Sequence, residues 1–257
     1  MIRSMKALHG FTICTTDGDV GTVRECYFDD MSFTVRYLVV DTGKWLSGRK
    51  VLLSPIALHA VRLEHKCVEA SLTKAQVEKS PDIDTDQPVA RQHETNYFGY
   101  YGYAPYWKGE NLWGASPYPH PGSLAPEHHA GFGPERRWVW AVRRGTNPHL
   151  RSSHVVTGYR IKATDGDIGH VEDFLVDDES WAIRYLVVRT GRWCSDRKVL
   201  LAPAWIEQVD WHHSEVHVKV TRAQIEKSPK YDPTRPIERA YESQLEGHYG
   251  QPGDWDA

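Results

Sequence analysis

Residues 33–41 carry β-branched and aromatic side chains on both faces of an extended chain. Phe33, Val35, Tyr37 and Val39 lie on one face, and Thr34, Arg36, Leu38 and Val40 on the other. The pattern predicts a central strand buried on both sides. Shorter apolar or alternating runs at 11–15, 20–28, 50–53 and 67–72 predict further strands. Turn formers separate them. Gly18 in Asp17-Gly18-Asp19 can take positive φ without steric cost, Asp29-Asp30 offers short acceptors, Thr42-Gly43 breaks the central run, and Pro55 ends another. A helical turn is expected after Pro55. A short helix carrying Gln76 and Glu78 is expected between an N-cap at Thr73 and a stop at Ser80-Pro81.

The same pattern recurs 148 residues later without a gap. Asp17-Gly18-Asp19-Val20-Gly21 meets Asp165-Gly166-Asp167-Ile168-Gly169, and Arg36-Tyr37-Leu38-Val39-Val40 meets the identical Arg184-Tyr185-Leu186-Val187-Val188. About 40 of roughly 90 aligned positions agree, which identifies an internal duplication. The expected organisation is a first repeat at 1–94, a Pro/Gly/aromatic linker at 95–148, a second repeat at 149–242 and a polar tail at 243–257. Five or six short strands in about 80 residues are too few for two separate sheets. Curling into a small barrel would remove the exposed edges. The predicted class is therefore mainly β: two small barrels in tandem, each with a short C-terminal helix and its own closed interior.

Three stretches and their first-repeat equivalents carry a resemblance: residues 165–174, residues 181–188, and Arg197-Lys198-Val199-Leu200-Leu201-Ala202-Pro203. They resemble the PRC-barrel family, the small β-barrel of the cytoplasmic part of the photosynthetic reaction-centre H subunit and of a ribosome-maturation factor. The resemblance covers roughly 185 residues and leaves out the linker and tail. It implies a protein-docking or assembly domain with no shared catalytic residues. Neither the transmembrane helix of the one relative nor the extra N-terminal domain of the other is expected here.

The linker opens with Tyr97-Phe98-Gly99-Tyr100-Tyr101-Gly102-Tyr103-Ala104-Pro105-Tyr106-Trp107. Rings alternating with Gly and Pro argue against a regular helix, yet they offer large contact area at small entropic cost. The segment is expected either to pack across its own repeats or to present an adhesive surface. A net charge of −3 gives no global field for phosphate backbones, so nucleic acid is not an expected partner. Cys14, Cys26, Cys67 and Cys194 fall at unmatched positions of the two repeats, and free thiols are expected. No stretch reads as a membrane helix or a signal peptide, which makes the cytoplasm the expected location.

Chemistry is sparse. The Asp clusters read as turns rather than calcium loops; His120, His128 and His129 lack the carboxylate or thiol partners of a metal site, and in the cluster His212, His213 and His217 the pair His213 and His217 on one strand face is spaced too widely for one ion. No nucleophile elbow, phosphate-cradling loop or HExxH motif is present, so no enzyme, cofactor or metal is expected. Arg36 and Arg184 interrupt apolar strands and need a carboxylate from Asp29 or Asp30, or from Asp177 or Asp178, unless they anchor a partner. Trp45 and Trp193 follow a Thr-Gly break as lids or contact surfaces. Candidate partner contacts are thus Trp45, Trp193, Arg36, Arg184, Tyr100, Tyr101, Tyr103, Tyr106 and Trp107. The expected function is a non-catalytic protein-binding or assembly module whose two barrels pack as a pseudo-symmetric pair. The alternatives are an RNA- or ribosome-associated accessory factor and a photosynthetic-complex assembly protein.

Overall fold

The computed structural model describes residues 1–81, 89, 91–121, 150–191 and 197–250. The first repeat runs β1 (Ile2–Ser4), α1 (Met5–Leu8), β2 (Thr12–Thr15), β3 (Gly18–Asp29), β4 (Thr34–Asp41), β5 (Lys50–Leu53), a 3-10 turn (Pro55–Ala57), β6 (Leu58–Arg62), β7 (Cys67–Ala70), α2 (Lys74–Glu78) and α3 (Arg91–Tyr101). The second repeats this order as β8 (Leu150–Ser152), α4 (Ser153–Val156), β9 (Arg160–Ala163), β10 (Gly166–Asp177), β11 (Ile183–Thr190), β12 (Lys198–Leu201), a 3-10 turn (Pro203–Trp205), β13 (Ile206–Asp210), β14 (Glu215–Val218), α5 (Arg222–Lys227) and α6 (Arg239–Tyr249).

The chain is mainly β, in two sheets. Their pairing paths are β5-β4-β3-β2-β7-β6 and β12-β11-β10-β9-β14-β13. Hairpins make every neighbour antiparallel except the parallel pairs β2–β7 and β9–β14, where the first and last parts of each repeat meet. Among the described residues no pairing joins β5 to β6 or β12 to β13, so the backbone ladder does not close into a ring. β4 is buried at every position but Asp41, as its two apolar faces require. The strand begins one residue later than the pattern suggests, because Phe33 turns at φ +47°, as its equivalent Trp181 does at +58°. Gly21 (φ +149°) admits a bulge: an added Cβ would stand 2.2 Å from the carbonyl oxygen of Asp41. The capping boxes at Thr73/Gln76 and Thr221/Gln224 form in full.

The sheets are completed by exchange. β3 is twelve residues long, and four-residue β2 covers only its first part, from Gly18 to Thr22. The remaining edge is taken by the other repeat: β8 pairs with Tyr27, Phe28 and Asp29. Reciprocally, β1 pairs with Leu175, Val176 and Asp177 of β10. Each arm thus covers an edge that would otherwise present unpaired N–H and C=O groups. Side chains fix the exchange. Arg151 meets Asp30 at 2.8 Å, and its equivalent Arg3 meets Asp178. The Ser152 hydroxyl donates to Glu25, and the Ser4 hydroxyl donates to Asp173. On the pseudo-twofold axis Thr34 bridges Ala182, flanked by Val35 N–H donating to Trp181 O (2.8 Å) and Ile183 N–H donating to Phe33 O (2.6 Å).

Two independently closed interiors were expected, but the buried apolar residues of both repeats form one contiguous cluster. Phe28 and Phe174, 5.5 Å apart, pack across the junction. The expected divisions at 94/95 and 242/243 fall within α3 and α6. The expected polar tail opens inside a helix whose Leu245 and Tyr249 are buried. Helix α3 also includes Tyr97-Phe98-Gly99-Tyr100-Tyr101, against the expectation that these residues stay irregular. Their apolar side packs on the sheet, and that burial outweighs the poor intrinsic propensity of Gly and aromatic residues.

Candidate functional site

In the first repeat, Arg36 and Asp29 lie beneath an aromatic strap formed by α3 and residues 102–121. Arg36 is only 2 % exposed. Its guanidinium donates to Leu112 O (2.5 Å) and to the Ser32 hydroxyl (3.1 Å), lies 3.8 Å from an Asp29 carboxylate oxygen, and stacks on Tyr106 at 3.9 Å and Trp113 at 4.8 Å. Burial presses its pKa down, while Tyr106, Asp29 and Glu94 act in the opposite sense. The expected carboxylate partner is thus Asp29; Asp30 is engaged by Arg151 of the exchanged arm instead. Asp29 also accepts from Met31 N–H and Ser32 N–H, as Asp177 does from Glu179 N–H and Ser180 N–H, so both fix the turn before the central strand.

Glu94, on α3, is the strap's polar anchor. It accepts from Tyr37 (3.1 Å) and Tyr106 (2.6 Å) and pairs with Arg91 at 2.8 Å. Burial raises its carboxyl above the ordinary value despite these partners. Phe98 contacts Tyr103, Tyr106 and Trp107, and Arg91 lies 4.5 Å above the Trp107 ring. The strap reaches the second repeat through Trp113, whose indole N–H donates to Ser180 O (2.8 Å).

These positions sort the expected contact residues. Arg36, Tyr103 and Tyr106 are buried against their own chain and offer no surface to a partner, a correction to the sequence reading. Trp107 and Tyr101 are half-buried in the strap, and Arg184 is half-buried on β11. Trp193 lies outside the described residues. Trp45 is half-buried too and Tyr100 is exposed, and each touches helix α2. Lys74 Nζ sits 5.1 Å over the Trp45 ring, and the Tyr100 hydroxyl donates to Gln76 O (2.9 Å). Tyr100 is 41 % exposed. Asp17 places the helix by accepting from Lys74 N–H (2.8 Å), and Arg49 holds its far end by donating to Glu78 O (2.7 Å) and Ser80 O.

The second repeat builds the same frame. Asp165 accepts from Arg222 N–H (2.7 Å), Arg197 donates to Ser228 O, and His248 stands where Tyr100 does, with Nε2 2.6 Å from Gln224 O. The sequence reading missed this α2 surface because it treated the turn aspartates and the helix separately. The identical 57-residue spacing of Asp17 to Lys74 and Asp165 to Arg222 was the available signal.

The cysteine expectation also changes. Cys14 and Cys67 form a disulfide, while Cys26 is free and buried; Cys194 is outside the described residues. The pairing was hidden because it depends on parallel β2–β7 contact between residues 53 positions apart. Among the described residues no cluster of three or more His, Cys, Asp or Glu side chains has the geometry to hold a metal ion. No helix among them is long and apolar enough to cross a membrane.

No curated protein matches the chain. Residues 5–77, from α1 through most of α2, match the family model of the PRC-barrel domain.

Proposed function

We propose that the chain is a non-catalytic protein-binding or assembly module, a two-lobed scaffold that presents the Trp45–α2–Tyr100 surface to a protein partner. The observation that carries this reading is the use made of its polar side chains. Arg36, Glu94, Tyr37 and Asp29 bind the strap and turns, while Arg3, Arg151, Asp30 and Asp178 bind the repeats to each other. Exchange of this kind gives a fixed platform, and fixed platforms bind with small ordering cost. Trp45, beside Lys74, and Tyr100, bonded to Gln76 O, are of the aromatic types enriched at contact hot spots. The PRC-barrel match to residues 5–77 is consistent with a docking role.

The RNA-associated alternative finds less support. Among the described residues, cations sit beside carboxylates in Arg24–Asp41, Arg62–Glu69, Arg160–Glu215 and Lys198–Glu172, a mixing that does not favour a continuous basic stripe. Nothing specific favours a photosynthetic complex over other assemblies. The test is affinity capture from the source organism with the intact chain and with a Trp45→Ala/Tyr100→Ala variant. The reading predicts a protein retained by the former and weakened at least about tenfold by the latter. Retention of RNA without protein, or equal retention by both baits, contradicts it.

A further inference from the structure

Cys14 on β2 and Cys67 at the start of β7 lie on neighbouring parallel strands, with Cα atoms 6.1 Å apart. At the same two positions the second repeat has Lys162 and Glu215, whose ammonium and carboxylate are 3.7 Å apart. Glu215 also takes Arg160 at 2.6 Å, and Lys162 takes Asp167 at 2.6 Å. One structural position therefore holds a covalent clasp in one repeat and an ionic clasp in the other.

The position matters because it joins remote parts of each repeat. β7 carries the β6–β7 hairpin and leads into α2, and its three register pairs with β2 tie both to the N-terminal hairpin. Cys14 is partly exposed, so a soluble thiol can reach the bond. Cys26 is 1 % exposed, and burial pushes its thiol up to about 12, which keeps it from competing as a nucleophile.

We propose that Cys14 and Cys67 are a redox-active pair through which the first repeat, and not the second, responds to dithiol reductants. A reductant thiolate attacks one sulfur, the S–S bond breaks, and a mixed disulfide forms. The reductant's second thiol then resolves it. Cys14 and Cys67 end as two thiols, having gained two electrons and two protons, and the reductant ends as a disulfide. Small disulfides reverse the reaction by the same exchange. The reduced state removes the one covalent tie between β7 and β2, leaving their three register pairs, the packing of Val68 and Val77, and the Asp17 and Arg49 contacts to hold β6, β7 and α2. The Trp45–α2–Tyr100 surface then loosens, whatever it binds.

The intact protein is equilibrated with oxidised or reduced dithiothreitol and read by thiol alkylation with mass spectrometry, then by hydrogen exchange. The expected result is that Cys14 and Cys67 resist alkylation until reduced. Reduction then raises exchange at β6, β7 and α2 at least tenfold, while β13, β14 and α5 are unchanged. A Cys14→Lys/Cys67→Glu variant transplants the ionic clasp and is expected to show the same exchange with and without reductant. Full alkylation of both cysteines in the oxidised sample overturns the proposal. So does equal exchange at β6, β7 and α2 in the two redox states of the natural chain.

Discussion

The two repeats share a frame and differ in how they are fastened. Both have the turn aspartate beneath the short helix, the Thr/Gln capping box, the arginine on the helix end, the exchanged arm and a buried tyrosine donating to a helix glutamate, Tyr37 to Glu94 and Tyr185 to Glu242. Around that frame the first repeat adds a disulfide and an aromatic strap, and the second uses charge. Glu246 replaces Phe98, His248 replaces Tyr100, and Lys162 with Glu215 replaces the cysteines. Core volume is redistributed as well. The final-turn tyrosine of the helix packs at a tilt on Tyr97 of α3 in the first repeat (4.8 Å) and on Trp205 of the 3-10 turn in the second (4.4 Å), where the opposite repeat has Leu245 and Ala57. Duplication thus preserved the backbone hydrogen-bond plan and let side-chain packing drift, as interiors permit when total volume is kept.

The largest expected difference is at Arg36 and Arg184. Arg36→Ala strips the strap of its stacked cation and leaves Leu112 O and Asp29 buried, which costs about 3–5 kcal/mol. Arg184→Ala, at a half-buried position, costs about 1 kcal/mol. Urea unfolding of the intact chain reads both, and equal losses would break the distinction between strapped and unstrapped repeats.

Core redistribution gives the next effect. Tyr97→Leu is expected to cost about 2–3 kcal/mol and Trp205→Ala about 3–5 kcal/mol. Adding Ala57→Trp to Tyr97→Leu copies the second repeat's arrangement into the first and should recover about 1 kcal/mol or more by double-mutant cycle. A strictly additive cycle would show that the two positions do not share one volume.

The smallest effect is on pH dependence. Burial raises the Glu94 carboxyl above 4.5, so the folded protein keeps a proton that the unfolded chain releases. Stability is therefore highest below that value and falls as pH rises through the raised one, by no more than about 1.4 kcal/mol per pH unit. Glu94→Gln should flatten this slope. Part of it remains, because burial also raises Asp173. An unchanged slope in Glu94→Gln would remove Glu94 from the account.

Much of the frame was legible because it is written locally. The gapless 148-residue match, the two-faced run of β4, Gly18 at φ +130° and Thr73 before Gln76 each follow from a few adjacent residues. The exchange was not legible. Ile2-Arg3-Ser4 is too short to show a period, and a duplicated sequence offers each arm two equivalent edges, so only the tertiary path selects between them. β6 was missed for a related reason, its pattern being half polar on an open edge. The helices α3 and α6 had a signal that was overlooked. The repeat continues past position 94 through Gly99/Gly247, Tyr101/Tyr249 and Gly102/Gly250, although the residue types themselves favour irregular chain. Of the candidate contacts, residue type correctly drew attention to the aromatic segment, but type alone could not separate buried Tyr106 from exposed Tyr100.

The central claim is that each repeat completes the other through its N-terminal arm. A protease site placed between residues 122 and 149 allows the folded chain to be cut once, and the fragments are then followed by size-exclusion chromatography and sedimentation without denaturant. The account predicts that the two pieces travel as one particle of the uncut mass and part only under unfolding conditions. Fragments that separate spontaneously into two folded species would contradict it.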